Sequence, residues 1–329
     1  VSNEERPTMQ LAPGPVGTKI IGLGSHQGDR VVTNHDLAKL VDTSDEWIQS
    51  RVGIKTRRLA REDQSLTDMA VEAGKKAVAD SGLDPTEIDT VIIATCTMPT
   101  TIPNAAAQVA ARIGIVKAGA FDVNAACAGF CYAMATASDL VRGGSSRYVL
   151  VIGAERFTDW VDWTDRSTCI IFADGAGAVV VGPSDEPAIG PVAWESAGGM
   201  AEVIGVTPQR YLYQEGQSVF RWATTENWPV AERAVELAGL KLSDIDALVP
   251  HQANLRIVES IAKELRGRGA REDLVVARDI VTSGNTSSAS IPIALDHMRA
   301  AGEIKSGDVL LLIGFGAGLV SAGQVVICP

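Results

Sequence analysis

Three residues of this 329-residue chain stand where chemistry could be done: Cys127, His251 and Asn285. Cys127 follows FDVNAA and opens CAGFCYAMATASDLV, so it falls at a strand-to-helix turn, at or just before the helix start. Unpaired amides and the dipole of such an end favour a thiolate. The small neighbours Ala125, Ala126, Ala128 and Gly129 leave room for a substrate to reach the sulfur. A buried, inert cysteine is the competing reading. His251 closes the strand DALVP and precedes the helix QANLRIVESIAKEL. The space beyond a parallel strand's carboxyl end is where α/β sheets bind ligands, although a satisfied core histidine would read the same way. Asn285, in TSGNTSSASIP, opens another helix and by itself reads as a cap or turn residue. The run GFGAGLVSAG (314–323) follows a buried strand but lacks G-x-G-x-x-G spacing and an acidic ribose partner. It reads better as a turn offering backbone amides to a developing oxyanion than as a nucleotide loop.

An internal duplication positions these residues. GLDPTEIDTVII (82–93) resembles GLKLSDIDALVP (239–250), at an offset of 157 residues. The same offset carries Asp122 to Asp279, and Cys127 to Gly284 beside Asn285. SSRYVLVIG (145–153) parallels KSGDVLLLIG (305–314), with a few residues inserted. The repeated unit reads as helix, strand, helix, strand, helix, strand. Residues 65–82 are a helix between a Ser start and a Gly stop, and Asp89–Thr95 a buried strand. Asn104–Ile113 is a helix, Phe121–Val123 a strand, Cys127–Gly143 a helix and Tyr148–Gly153 a continuous apolar strand. The second copy ends in strands at Asp308–Ile313 and Gly323–Ile327. Such alternation predicts an α/β fold with mostly parallel sheets and helices outside. Two halves, 17–183 and 184–329, then meet around a pseudo-twofold axis behind a mobile leader at 1–16. Equivalent loops face each other, which brings the loops of Cys127 and Asn285 together.

Composition narrows the function. A hydrophobic content of 46% supports a large core, and a net charge of −11 argues against nonspecific nucleic-acid binding. No apolar run reaches the roughly 20 residues that span a bilayer, and the first residues lack a basic stretch followed by an apolar one. A cytoplasmic protein with no membrane partner is expected. The five cysteines form neither a disulfide framework nor, with four histidines, a metal pattern. An anionic substrate must therefore meet a local basic patch. Arg51, Lys55, Arg57, Arg58 and Arg61 form one cluster, and Arg256, Lys263, Arg266 and Arg268 another. Most of these read as solvated helix faces. Arg256, beside the His251 loop, is the one suited to an acidic partner.

Five segments in order resemble β-ketoacyl-acyl carrier protein synthase III, a thiolase-fold family of condensing enzymes: DTSDEWIQSRVGIKTRR, AACAGF, DRSTCIIFADGAGA, VPHQANLRI and GNTSSAS. The resemblance runs from about residue 18 to the end. It implies a homodimer, an acyl-CoA starter, malonyl-acyl carrier protein as extender, and no cofactor. Cys127 matches the acylated cysteine, and His251 and Asn285 match the decarboxylation pair. The oxyanion amides map to Cys127 and to Gly316 or Ala317. Trp47 and Arg166 match residues stacking on the adenine of coenzyme A, Arg51 a nearby contact, Asn254 a pantetheine-tunnel residue and Arg256 a carrier-protein contact. Core packing is the alternative for Trp47.

Two departures stand out. Segment 195–220 is shorter than is usual in the family, and Ile102 replaces a Phe that reaches the partner's acyl pocket. The leading function is decarboxylative Claisen condensation, in fatty-acid initiation or polyketide priming. Acyl transfer to an oxygen or nitrogen acceptor and a non-catalytic synthase subunit are the competing functions. Retention of both His251 and Asn285 argues against the first and the intact trio against the second.

Overall fold

The computed structural model describes Met9 and residues 13–329, so the leader expected over 1–16 lies largely outside the described residues. Two five-stranded sheets carry the molecule. The first contains β1 (Gly17–Gln27), β2 (Thr90–Ala94), β3 (Gly119–Val123), β4 (Val149–Arg156) and β5 (Asp174–Ser184), in the order β1-β5-β4-β2-β3. The second contains β6 (Ala193–Ser196), β7 (Ala247–Pro250), β8 (Val275–Val276), β9 (Val309–Gly316) and β10 (Val320–Ile327), in the order β6-β10-β9-β7-β8. The two orders are the same, as a duplicated thiolase fold requires.

Six helices make three layers around these sheets. α1 (Leu66–Ser81) starts under a Ser65–Asp68 capping box and stops at Gly82, whose φ of +73° suits a residue without a Cβ. With α2 (Ala105–Ile113) it covers the outer face of the first sheet, through Met69, Ala73 and Val109 against Val91, Ile93 and Leu150. The intervening residues Ile92, Val149 and Val151 point the other way, into the space between the sheets. That alternation is the period of a strand buried on both faces. α3 (Gly129–Arg142) and α6 (Ser290–Ala300) fill this central space, with Phe130, Met134, Ile291 and Leu295 packed against both sheets. α4 (Gly216–Leu237) and α5 (Leu255–Gly267) close the far side through Val230, Ala234, Ile257 and Ile261.

Two expectations need correction. The sheets are mixed: in each, two ladders are parallel and two antiparallel. A parallel neighbour needs a crossover of a dozen residues or more. β10 follows β9 after only Ala317–Leu319 and can only run back. The segment between β4 and β5 is long enough, but it folds over the strand ends as a cap with Phe157, Val161, Ile170 and Phe172 in its own apolar cluster.

The second correction concerns the match between the halves. Helix α3 begins at Gly129, not at Cys127, and one-turn 3-10 segments precede both central helices, Ala126–Ala128 and Ser287–Ala289. Each is entered at a non-glycine residue of positive φ, +46° at Ala126 and +49° at Ser287. Such a conformation is strained by about 1 kcal/mol or more. The structural counterpart of Cys127 is therefore Ser288, not Gly284. The difference of four residues is the length of the helix Ile280–Ser283, which the second half inserts before its turn.

Candidate active site

Cys127, His251 and Asn285 line one cavity of about 370 Å³, together with Cys96, Phe315 and Gly316. Each arrives on the loop beyond a strand of one half. Cys127 follows β3, His251 follows β7 and Asn285 follows β8 and the inserted helix. Asn285 is fastened to the first half by backbone bonds, its N–H to Ile171 O (2.9 Å) and its O from Ala173 N–H (2.8 Å).

Hydrogen bonding decides what each side chain can offer. The His251 N–H bonds Ile313 O at 2.8 Å, and the ring is only 2% exposed, edge-on to Phe315. Burial pushes the imidazole down to about 3, so it is neutral. Its Nδ1 lies 2.8 Å from Ser290 Oγ, which also accepts the Gln252 N–H at 3.2 Å. Among the described residues the only acceptor paired with the Ser290 hydroxyl proton is Nδ1. The hydroxyl therefore donates to Nδ1, and Nε2 carries the ring proton as a donor. Asn285 Oδ1 is occupied by the Ser287 N–H at 2.8 Å, which leaves Nδ2 with one long contact, to Ala253 O at 3.5 Å. Two neutral N–H donors thus belong to the same cavity wall.

The sulfur is in a different state from the one the helix end suggested. Cys127 is partly accessible, yet burial pushes its thiol up to about 12, and the Glu155 carboxylate adds to that push. The resting group is a thiol rather than a thiolate. Gly316 approaches it so closely that a Cβ there would lie 2.8 Å from the Cys127 Cβ and backbone N. Only glycine fits. Ala317, the next residue, lines the cavity as well. Cys131, one helical turn further on, is fully buried in the central core.

An outer groove opens beside the cavity and shares Gln214, Val219, Ala253, Ile257 and Asn285 with it. Trp47, Arg51, Arg166, Asn254 and Arg256 all line this groove. The Arg166 guanidinium lies 4.6 Å from the Trp47 ring centre and that of Arg51 5.6 Å. Asn254 is the cap of α5, accepting from Arg256 N–H at 2.9 Å and donating to Arg51 O at 3.3 Å. Exposed Arg256 lies over the Phe220 ring. Ile102 does not line the cavity; it is 85% exposed on the surface.

In the first basic cluster Arg51, Lys55 and Arg61 are exposed, as expected, and Arg57 is the exception. Arg57 is fully buried, donating to Asn34 Oδ1 and to the carbonyl of Ile170, and Arg61 pairs with Asp29 and Asp63. Sequence reasoning passed over Ser290, Ser287 and Glu155. The signal for Glu155 was a carboxylate inside the strand VLVIGAER, and for the serines the polar run that opens α6. The apolar hairpin Ile204–Val206 and Leu212–Gln214 over the cavity gave no sequence signal.

A duplicated thiolase fold with a cysteine of one half facing a neutral histidine and an amide of the other defines a condensing acyltransferase. Family models for 3-oxoacyl-[acyl-carrier-protein] synthase III match residues 121–198 and, for its C-terminal part, 235–328. β-Ketoacyl-[acyl-carrier-protein] synthase III 4 of Streptomyces coelicolor is 51% identical over 318 residues, 95% of this chain and 99% of that protein. The corresponding enzyme of Streptomyces glaucescens is 46% identical, over 97% and 98% of the two chains. Among solved structures, the priming β-ketosynthase of the R1128 polyketide pathway superposes with a TM-score of 0.94 at 41% identity, over 98% of this chain and 99% of that one. The synthase III of Aquifex aeolicus gives 0.90 at 40% identity, over 94% and 100%. The chain belongs to the 3-oxoacyl-[acyl-carrier-protein] synthase III family.

Proposed function

We propose that this enzyme condenses an acyl-CoA starter with malonyl-acyl carrier protein through an acyl-Cys127 intermediate, releasing coenzyme A and CO2. The attacked thioester carbonyl develops an oxyanion that the amides of Cys127 and of Gly316 or Ala317 receive. Loss of CO2 from the malonyl thioester leaves an enolate, which His251 Nε2–H and Asn285 Nδ2–H stabilise. The carbanion then attacks the acylated Cys127. The observation that supports this most directly is the pair of neutral donors in the sulfur's own cavity. Simple acyl transfer to an oxygen or nitrogen acceptor would leave both donors without work. The test is mass spectrometry after exposure to a panel of acyl-CoAs. The protein should gain the acyl mass, and adding malonyl-acyl carrier protein should restore the free thiol as a β-ketoacyl product forms. Failure to discharge onto the malonyl partner would favour the simpler transfer.

The outer groove takes coenzyme A, with adenine against Trp47 between Arg166 and Arg51, and the pantetheine arm passing Asn254 toward the sulfur. Arg256 meets the acidic carrier protein. Arg256→Glu should raise the carrier-protein KM and flatten its salt dependence while leaving acyl-CoA labelling intact, because an exposed charge acts mainly on encounter. An unchanged KM would remove Arg256 from the docking surface.

The enzyme works as a homodimer in the cytoplasm, in fatty-acid initiation or polyketide priming, and Ile102 bounds the partner's acyl pocket. Its exposure on the single chain is what such a role requires. Ile in place of Phe leaves space for one or two methylenes, each worth about 0.8 kcal/mol when buried. Branched or four- to five-carbon starters should therefore be used at least as well as acetyl-CoA. Ile102→Phe should shift the isobutyryl-to-acetyl ratio of kcat/KM toward acetyl by about tenfold or less. An unaltered ratio would mean that the pocket is bounded elsewhere.

A further inference from the structure

The residues that the cavity shares with the outer groove mark its mouth, whereas Thr97, Phe157, Trp160 and Leu212 line the cavity alone, away from that mouth. Trp160 is the largest of them. It belongs to the cap between β4 and β5, where the Phe157 and Phe172 rings stack with centres 4.7 Å apart and where Trp160 and Leu212 pack on the same apolar cluster. The Trp160 Nε1–H donates to Thr97 O at 3.3 Å, on the loop that follows β2. The Arg210 guanidinium lies over the indole, 4.8 Å from its ring centre, and donates through Nη2 to Pro99 O at 3.1 Å, on the same loop. A cation in that place is attracted by the negative face of the ring. The Trp160 carbonyl in turn accepts the Leu212 N–H at 2.8 Å. Arg210 sits in the turn of the hairpin over the cavity, in which Val206 pairs with Leu212 and the Thr207 N–H bonds Tyr211 O at 2.8 Å. Its φ is +68°, a conformation that a residue with a Cβ keeps only where its surroundings impose it. Hairpin and cap thus form one clasp, and the indole is its inner face.

We propose that Trp160, clasped between Thr97 and Arg210, is the end wall of the starter pocket and that this clasp sets the longest acyl chain the enzyme accepts. The inference rests on the reading of Cys127 as the acylated nucleophile and of the outer groove as the seat of coenzyme A. With the mouth filled by coenzyme A, an acyl chain on the sulfur extends toward the closed end and meets the indole. Short or branched starters fit in front of it; an octanoyl chain does not. The longer chain would have to turn the ring aside, which breaks the bond to Thr97 and takes the indole from under Arg210. This wall belongs to the same chain as the sulfur, unlike the boundary assigned above to Ile102. Trp160 touches the starter, and Arg210 acts through it as a positioning residue.

Competition between octanoyl-CoA and isobutyryl-CoA for acylation, followed by intact mass and read as a ratio of kcat/KM values, tests the wall. Wild type should favour isobutyryl. Trp160→Ala should raise the octanoyl-to-isobutyryl ratio by about 100-fold, since a pocket discriminates by roughly 10- to 200-fold for a methylene it does not accommodate. Trp160→Phe, which keeps a smaller ring in place, should fall between wild type and Trp160→Ala. Arg210→Gln leaves the wall itself but removes the stacked cation, and should raise the ratio by about tenfold. General damage to the site would slow both starters together and leave the ratio where it was, so the ratio isolates the wall. An unaltered ratio in Trp160→Ala would overturn the end wall, and an unaltered ratio in Arg210→Gln would overturn the clasp. If Trp160→Ala fails to fold, the ratio in Trp160→Phe decides in its place. Labelling that survives Cys127→Ala would instead overturn the underlying nucleophile assignment.

Discussion

Cys127→Ala should end all transfer of label from acyl-CoA to the protein, whereas Cys131→Ala should retain it. The two thiols are four residues apart, Cys127 in the 3-10 turn before α3 and Cys131 in the first turn of α3, and both are pushed up to about 12 by burial. Acidity therefore does not distinguish them; access does. Cys127 borders the cavity and is partly open to it, while Cys131 is fully buried among the core side chains between the sheets. Removing the Cys131 sulfur should cost about 1 kcal/mol of stability as a small cavity and leave the acylation rate near wild type. Radiolabel or intact mass after a single exposure reads the difference. Persistent labelling of Cys127→Ala would place the acyl group elsewhere and undo the mechanism.

His251→Ala and Asn285→Ala should separate the two half-reactions. Both variants should still acylate Cys127, but malonyl decarboxylation should fall by about two orders of magnitude or more, the scale of a lost oxyanion donor. The pH dependence tests the state of the histidine. Its folded value of about 3 lies below the ordinary 6.5, so the ring stays neutral at all working pH. Wild-type decarboxylation should accordingly be flat from about pH 5 to 8. A rate that rose through 6.5 would mean that His251 works as a titrating base. The same shift bears on stability: the unfolded chain takes up the His251 proton first. The contribution is complete above pH 6.5 and is lost as pH falls from there toward 3.

The parts of the fold legible in the sequence were those with local punctuation. Helix α1 announces itself by Ser65, Asp68 and Gly82, and β2 by its run of apolar residues after a proline-started turn. Strands β1 and β5 were passed over, because GTKIIGLGSHQ and DGAGAVVVGPS are rich in glycine and their pairing is long-range and antiparallel. The trio of Cys127, His251 and Asn285 could be brought together because each follows a strand of the duplicated unit. The supporting groups could not. The role of Ser290 depends on a 2.8 Å contact across 39 residues, and Glu155 meets Ser288 across 133. Arg57 shows the reverse error: a charge that looked solvated is, among the described residues, the largest wholly buried side chain.

The central layer has a consequence for how the chain holds together. α3 and α6 come from different halves, yet each packs against both sheets. Neither half can bury its own middle helix, so a fragment cut near residue 184 would expose a broad apolar face and aggregate rather than fold. The two halves must gain and lose order in a single cooperative step. Heat should consequently extinguish the chemistry and the near-ultraviolet dichroism of the aromatic residues together, with no surviving half-molecule to renature around.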